Sequence, residues 1–287
     1  MTGARTVGVL TDSTSYLDAA VVAQHGLEVI ALDVVIGGSA HPETEVTSAD
    51  LASALRRWTP VTTSRPSPAA LLAGFGRLVD AGAQEVVAVH LSGEVSGTCA
   101  GARLAARSAG VPVHVVDSGL LAMGLGYSAL AAARAAQAGL AGEAVAAAAR
   151  AQALVTKVFF YVDTLEHLRR GGRIGAAQAL LGSALAVKPL LHLAQGRVQP
   201  LERVRTSSKA LARLTELAVA AVPGASDGST EVDVTVHHLS NEQRARELVE
   251  RLAERLPAHR ELRVTEVGAV VGAHVGPGTV GVVVSPV

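Results

Sequence analysis

The first half of the chain alternates between hydrophobic runs and helical patterns. The hydrophobic runs are dense in Val, Ile and Leu, as is typical of strands buried on both faces, and they lie at residues 6–11, 27–36, 85–91 and 113–118. The helical patterns lie at residues 16–25, 48–57, 68–81, 98–108 and 122–155, the last divided in two near Gly139 and Gly142. Such alternation predicts a parallel sheet between layers of helices.

The second half follows a different pattern. Helices are expected at residues 164–170, 176–186 and 207–221, and strands at 232–239, 267–273 and 279–285. A hairpin is expected to turn at Gln195-Gly196, and residues 223–230 form a Gly/Ser/Asp linker. These patterns favour a mixed sheet with helices on one side. We therefore predict two α/β domains: an N-terminal parallel-sheet α/β/α domain, residues 1–160, and a C-terminal two-layer domain with a mixed sheet, residues 161–287.

The best-defined helix pattern follows Ser240. Ser240 and Gln243 match a capping box, and Pro257 is expected to end the helix. A single apolar stripe indicates the buried face, and it consists of Ala245, Leu248, Val249, Leu252 and Leu256.

Composition narrows the classes of function. The 25 Lys and Arg residues balance 25 Asp and Glu residues, so no overall charge favours nucleic acid or a membrane surface. Cys99 is the single cysteine, which excludes an intramolecular disulfide and fits a reducing, cytoplasmic setting. The first residues do not resemble a signal peptide, and no stretch of the sequence is apolar enough to predict a transmembrane segment.

Polar residues cluster where strands are expected to end or helices to begin. Asp12 and Ser13 follow the first strand, and helix capping is the favoured interpretation for both. Ser67 followed by Pro68 is a helix cap with proline at the first helical position. Thr63 and Ser64 are not needed for that cap, so their hydroxyl groups are candidates for binding a ligand.

Two glycine-containing loops are further candidates. Residues 92–98 follow a predicted parallel strand and open a helix, and ligands of open α/β sheets bind at such carboxyl ends. Ser96 and Gly97 are the residues expected to line this site, although a simple turn with a helix cap is an equally good interpretation of the segment alone. Arg173 lies in the second loop, residues 171–175, where the paired glycines would let an anion approach it; a helix terminus with complementary cations is the alternative.

A third loop, residues 274–278, reads His-Val-Gly-Pro-Gly between the last two predicted strands. Its glycines can turn backbone N–H groups toward an anion, and His274 adds a titratable donor. A hairpin turn with an incidental histidine is the favoured interpretation of this segment by itself.

Common catalytic motifs are absent from the sequence. The P-loop pattern GxxxxGK[ST], HExxH and the nucleophile elbow GxSxG do not occur, and no histidine has a spacing typical of metal ligands. What remains is a set of hydroxyls, backbone amides, one arginine and one histidine. These groups suit a carboxylate or phosphate head group, and the surrounding Leu-, Ala- and Val-rich helices suit an amphiphile.

Several motifs together resemble the DegV family over nearly the whole chain. In order, they are LTDSTSYL, TTSRPS, LSGEVSGT, VVDS, VDTLEHLRRGGRIG, KPLL with QGRV, and HVGPG. The resemblance implies a bacterial fatty acid-binding protein of two α/β domains that hold the lipid between them. It also implies that such a protein presents its acyl group to a separate fatty acid kinase, whose acyl phosphate product feeds phospholipid synthesis.

The resemblance also assigns the site residues. It implies that Thr63, Ser64 and Ser96 meet the fatty acid carboxylate, with His274 near the same head group. Gly97, Thr98 and Gly276 belong to the same motifs and are included as fatty acid-binding residues. Arg173 is implied to contact the head group or a docking partner. Arg65 stands where the family usually has Gln, and Gly93-Glu94 where a second Ser is common.

We therefore expect a non-catalytic protein that binds a long-chain fatty acid such as palmitate, stearate or oleate, with no metal and no other cofactor. The alternative is a phosphoryl-transfer enzyme or sugar-phosphate binder related to dihydroxyacetone kinases, but no nucleotide-binding loop supports it. A transcriptional or interaction module is the third hypothesis, and it lacks a basic patch or nucleic-acid motif.

Overall fold

The computed structural model describes residues 6–180, 188–223, 230–256 and 258–287. The strands in chain order are β1 Val7–Asp12, β2 Leu27–Ile30, β3 Asp33–Ile36, β4 Ser39–Pro42, β5 Val61–Ser64, β6 Glu85–His90, β7 Val113–Asp117, β8 Lys157–Tyr161, β9 Lys188–Ala194, β10 Arg197–Val204, β11 Val232–His238, β12 His259–Glu266 and β13 Val280–Pro286. The α-helices are α1 Ala19–His25, α2 Ser48–Arg56, α3 Pro68–Asp80, α4 Thr98–Ala106, α5 Met123–Gln137, α6 Gly142–Val155, α7 Glu166–Arg170, α8 Ser207–Ala220, α9 Glu242–Arg255 and α10 Ala269–Val275.

The chain divides into two units. The first unit consists of Met1–Asp33, Pro42–Thr44 and Thr63–Leu154. The second consists of Val34–His41, Glu45–Thr62 and Val155–Val287. Short β4, β3 and β5 form a three-stranded sheet in that order.

A parallel sheet of order β2-β1-β6-β7 forms the centre of the first unit. Neighbouring residues of a strand point to opposite faces, and both Val9 and Leu10 of β1 are fully buried, so both faces of the sheet are covered. Leu10 packs with Leu71 and Phe75 of α3 in one apolar cluster. The predicted parallel sheet between helices is confirmed.

The second unit contains a mixed sheet of order β10-β9-β8-β13-β11-β12. β11 and β12 pair in parallel, whereas the other neighbours are antiparallel. Alternate residues of β11 and β13 pack against the apolar faces of α8 and α9 in one buried cluster. The α9 face includes the predicted stripe, since Ala245, Leu248 and Leu252 are fully buried. The expected mixed sheet is confirmed.

The apolar run at 267–273 is not a strand. It forms most of α10, which begins after Gly268 and ends at Gly276, where φ is +75°. Leu51 and Leu239 pack against Gly272 of this helix. A short apolar run does not distinguish a buried helix from a buried strand by periodicity, and here packing on two neighbouring segments decides the outcome.

Other sequence predictions need correction in detail. Residues 27–36 form two strands, β2 and β3, which belong to different sheets and are separated by Ala31 and Leu32. The predicted capping box does not form: Asn241 is the N-cap of α9 and makes no side-chain cap bond.

The helix expected at 176–186 is described only in part. Gly175–Leu180 form a 3-10 helix, and 181–187 lie outside the described residues. Pro257 and linker residues 224–229 also lie outside them.

No helix in the described part of the chain has the length and hydrophobicity that crossing a bilayer requires.

Candidate functional site: a Ser/Thr cluster and a histidine–glycine cluster

The first candidate site is the loop that follows β6, and its backbone is tightly folded. The carbonyl of Ser92 accepts hydrogen bonds from the amides of Val95 at 3.2 Å and Ser96 at 3.1 Å. The Ser96 hydroxyl lies 2.9 Å from the Thr98 hydroxyl and accepts a bond from the Thr98 amide at 3.3 Å. Thr98 is the first residue of α4, so the helix N-terminus and two hydroxyls occupy one place at the carboxyl end of a parallel strand.

The structure places a second predicted segment beside this loop. Thr63 and Ser64 are the last residues of β5, and the Ser64 hydroxyl donates to Asp33 at 3.4 Å. The next residue, Arg65, contacts Gly97, whose carbonyl oxygen lies 3.4 Å from Arg65 Nη1. We call Thr63, Ser64, Ser96, Gly97 and Thr98 the Ser/Thr cluster. Two stretches far apart in sequence, TTSR and SGT, therefore meet as neighbours within the first unit.

Asp12 has a larger role than the predicted helix cap. It does cap the turn after β1, because its carboxylate accepts bonds from the Thr14 amide at 3.2 Å and the Thr14 hydroxyl at 2.6 Å. The same carboxylate also accepts bonds from the Leu91 amide and from Nδ1 of His90, both at 3.0 Å. Asp12 and His90 are fully buried. Asp12 thus fixes the chain directly before the Ser92 loop.

The sequence contained a signal for this contact. Asp12 and His90 end β1 and β6, and these strands pair in parallel, so their carboxyl ends lie side by side. The contact between Asp12 and His90 can be predicted only when the order of the strands in the sheet is known, and the local sequence pattern does not give that order.

Ser13 also has a structural role. Its hydroxyl donates to Glu43 at 2.5 Å and accepts a bond from the Leu32 amide at 3.1 Å. The hydroxyl of Tyr16 donates to the other Glu43 oxygen at 3.0 Å. These bonds satisfy a buried carboxylate, so Ser13 has a structural role through Glu43 and Leu32, whereas the helix cap expected of it is provided by Asp12.

Cys99, directly after the cluster, is a buried thiol. Burial, with a smaller contribution from the charge of nearby Asp117, raises its pKa to about 12. A thiol with so high a pKa is a poor nucleophile at neutral pH, which argues against cysteine chemistry next to Thr98.

The second candidate site lies in the second unit, where α7 and α10 pack together. The His274 ring lies so close to Gly171 that a Cβ atom there would overlap its Nδ1, and the His167 ring lies equally close to Gly276. We call His167, Gly171, His274 and Gly276 the histidine–glycine cluster. Each ring occupies the space that a side chain on the other segment would need. The two glycines are therefore required by packing, which the sequence did not indicate.

Burial changes the chemistry of His274. Burial, with a smaller contribution from the charge of Arg173, lowers the pKa of the imidazole to about 4. Arg173 itself donates from Nη1 to the Gly171 carbonyl at 2.6 Å. His274 is therefore neutral near pH 7 and can donate one hydrogen bond without carrying a charge.

The turn after α10 is held by hydrogen bonds. The Thr279 hydroxyl donates to the carbonyls of Val275 at 3.0 Å and Gly276 at 2.9 Å. Asn241 donates to the Gly278 carbonyl at 2.7 Å, and the Gly278 amide donates to Leu239 at 2.9 Å. The HVGPG segment is thus a helix end followed by a fixed turn, not the predicted hairpin.

Within the described residues, no group of three or more His, Cys, Asp or Glu side chains is arranged to hold a metal ion.

Comparison with known proteins identifies the family. The model of the family described as "Uncharacterised protein, DegV family" matches residues 6–287. The chain belongs to the DegV family. A DegV domain-containing protein of Streptomyces coelicolor is 53% identical over 282 residues, which cover 98% of this chain and 99% of the relative.

Solved structures of DegV proteins have the same fold. A DegV family protein from Thermus thermophilus, described by its fatty acid binding, matches with a TM-score of 0.91 and 33% identity over 98% of this chain and 100% of that chain. DegV from Bacillus subtilis, described as a fatty acid binding protein, matches with a TM-score of 0.88 and 31% identity over 99% of this chain and 100% of that chain. The predicted family and two-part α/β fold are confirmed.

Proposed function

We propose that this protein binds a long-chain fatty acid, such as palmitate, stearate or oleate, and that it is not an enzyme. The observation that carries the proposal is the Ser/Thr cluster at the carboxyl end of the parallel sheet, in a chain that matches two fatty acid-binding DegV proteins along almost its whole length. Hydroxyl and amide donors suit a carboxylate, because each bond to a charged acceptor is stronger than a bond between neutral groups.

The residues proposed to bind the carboxylate in the first unit are those of the Ser/Thr cluster. The Ser96 and Thr98 hydroxyls are already 2.9 Å apart, so one carboxylate can accept from this pair without a large rearrangement. Thr63 and Ser64 are included in the proposal because they directly precede Arg65, whose side chain contacts Gly97.

The second unit supplies a different kind of donor. We propose that neutral His274 donates to the head group from a position fixed by Gly171, and that Gly276 belongs to the same ligand-binding segment. That the Ser/Thr cluster and His274 bind one head group, with the acyl chain in an apolar tunnel, stays a prediction. Variants of each cluster can test it separately.

The partner proposed for this protein is a fatty acid kinase, to which it would present the acyl group for acyl phosphate formation and phospholipid synthesis in the cytoplasm. Arg173 is a candidate contact for the head group or for that partner, because it lies half-buried beside the histidine–glycine cluster. A pull-down with the candidate kinase from the same host tests this part, with Arg173→Gln expected to weaken the interaction.

Native mass spectrometry of the purified protein tests the proposed ligand. We expect extra mass that disappears after denaturing extraction and matches a fatty acid in the extract. Ser96→Ala should reduce the fraction carrying lipid, whereas Ser108→Ala, an exposed serine, should not change it. A bound sugar phosphate, or protein that stays free of lipid after incubation with palmitate or oleate, would contradict the proposal. The first of these results would favour the phosphoryl-transfer alternative.

A further inference from the structure

Arg65 lies flat against the backbone of Gly97. A Cβ atom added at Gly97 would lie 2.7 Å from Nη1 and 3.2 Å from Cδ of Arg65. The φ angle of Gly97 is −78°, so its backbone conformation does not require glycine. A side chain at position 97 would instead displace the guanidinium, which is the end of a flexible, exposed side chain and can move.

The charge of Arg65 is not neutralised by the protein. Some arginines in the described part of the chain form ion pairs, as Arg77 does with Glu28 and Arg213 with Glu202. Arg65 forms no ion pair with any described carboxylate, and its only hydrogen bond there is the one to the Gly97 carbonyl. A guanidinium against Gly97, the residue between Ser96 and Thr98, thus has its positive charge available to a ligand.

We propose that Arg65 makes the Ser/Thr cluster selective for ionised head groups over neutral ones with the same hydrocarbon chain. The inference rests on the proposed fatty acid function. Hydroxyl groups donate to a carboxylate and to an alcohol alike, so the Ser/Thr cluster alone discriminates weakly between them. A fixed cation favours only the anion, and it thereby determines the class of ligand rather than its chain length.

The position of Arg65 also sets the size of the effect. Its side chain is exposed, so water and salt screen its attraction for an anion. We therefore expect a roughly 5- to 10-fold contribution to fatty acid affinity at low salt, below the effect of a buried charge pair. The contribution should shrink as the salt concentration rises.

Titration of delipidated protein with oleate and with oleyl alcohol tests the inference. Arg65→Gln should weaken oleate binding roughly 5- to 10-fold and change oleyl alcohol binding by less than about 2-fold. Arg65→Lys should retain most of the affinity for oleate, and Arg107→Gln, at the far end of α4, should change neither ligand. The dependence of oleate binding on salt should be smaller in Arg65→Gln than in the unchanged protein.

The possible failures are distinct. If the unchanged protein binds neither ligand, the proposed function is wrong and this inference falls with it. If it binds oleate and Arg65→Gln binds oleate equally well, or loses both ligands equally, the fatty acid function stands and the selectivity assigned to Arg65 is wrong.

A double-mutant cycle tests the contact with Gly97. Gly97→Ala should weaken oleate binding more when Arg65 is present than in the Arg65→Gln background, because only the arginine is displaced by the new methyl group. Strict additivity of the two changes would show that Arg65 does not act from its position over Gly97.

Discussion

The Ser/Thr cluster and the histidine–glycine cluster are built by different physical means. Hydrogen bonds organise the first, since buried Asp12 accepts bonds from His90 and Leu91 directly before Ser92, and Ser92 in turn holds Ser96. Close packing organises the second, where imidazole rings fill space left by glycines. The Ser/Thr cluster should therefore be sensitive to the loss of a hydrogen-bonding partner. The histidine–glycine cluster should be sensitive to a larger side chain or to a charge on the imidazole ring.

The largest effect is expected from Asp12→Ala. The change leaves His90, the Leu91 amide and the Thr14 amide and hydroxyl without their buried acceptor. We expect the free energy of unfolding to fall by about 3–5 kcal/mol, measured by urea denaturation. Asp117→Ala is the control: this exposed carboxylate accepts bonds from the Gly93 and Gly119 amides, and its loss should cost about 1 kcal/mol. Equal losses would show that the buried Asp12 bonds do not organise the first unit.

A pH titration of stability examines the second cluster. His274 has a pKa of about 4 in the folded protein, against the ordinary value of 6.5, so between these values the unfolded state binds a proton that the folded state does not. The contribution of His274 to the free energy of unfolding is complete above pH 6.5. About 3 kcal/mol of it is lost as the pH falls toward 4.

The matching variant is His274→Gln. Its free energy of unfolding should fall less between pH 6.5 and 4 than that of the unchanged protein. Some loss of stability with falling pH remains in both proteins, because the pKa of buried His237 is also lowered, to about 3. Identical pH dependence in the two proteins would mean that His274 is not buried in neutral form.

A smaller effect is expected from Gly171→Ala. The backbone at this position is helical, with φ of −71°, so the cost arises from the new methyl group against the His274 ring. We expect a loss of about 2 kcal/mol, the usual cost of overpacking. Gly172→Ala is the opposite case, because the backbone φ is +71° and the new methyl group would have no neighbour within 4 Å. It should cost about 1 kcal/mol of stability from backbone strain alone. A smaller loss of unfolding free energy for Gly171→Ala than for Gly172→Ala would show that close packing against His274 is not what requires glycine at position 171.

The first unit was the more predictable from sequence. Its buried strands and intervening helices give long local patterns, and the Ser92 loop follows from the position of a parallel strand. The bond from Asp12 to His90 was missed because it joins residues 78 positions apart, and only the strand order brings them together.

The second unit was harder to predict for a different reason. Residues 267–273 are apolar throughout, so their helical state depends on packing against Leu51 and Leu239, which no local pattern contains. The fit of His274 and His167 against glycines likewise appears only in three dimensions. Family motifs predict His274 as a site residue without indicating that its ring is buried.

The central claim is that the Ser/Thr cluster binds the carboxylate of a fatty acid, and an oleate titration of delipidated protein by calorimetry tests it most directly. We expect saturable binding, with Ser96→Ala reducing the affinity by about 1.5–3 kcal/mol, or roughly 10- to 100-fold, while the thermal unfolding temperature stays within a few degrees. Binding of oleate with equal affinity by Ser96→Ala, or no binding by the unchanged protein, would contradict the claim.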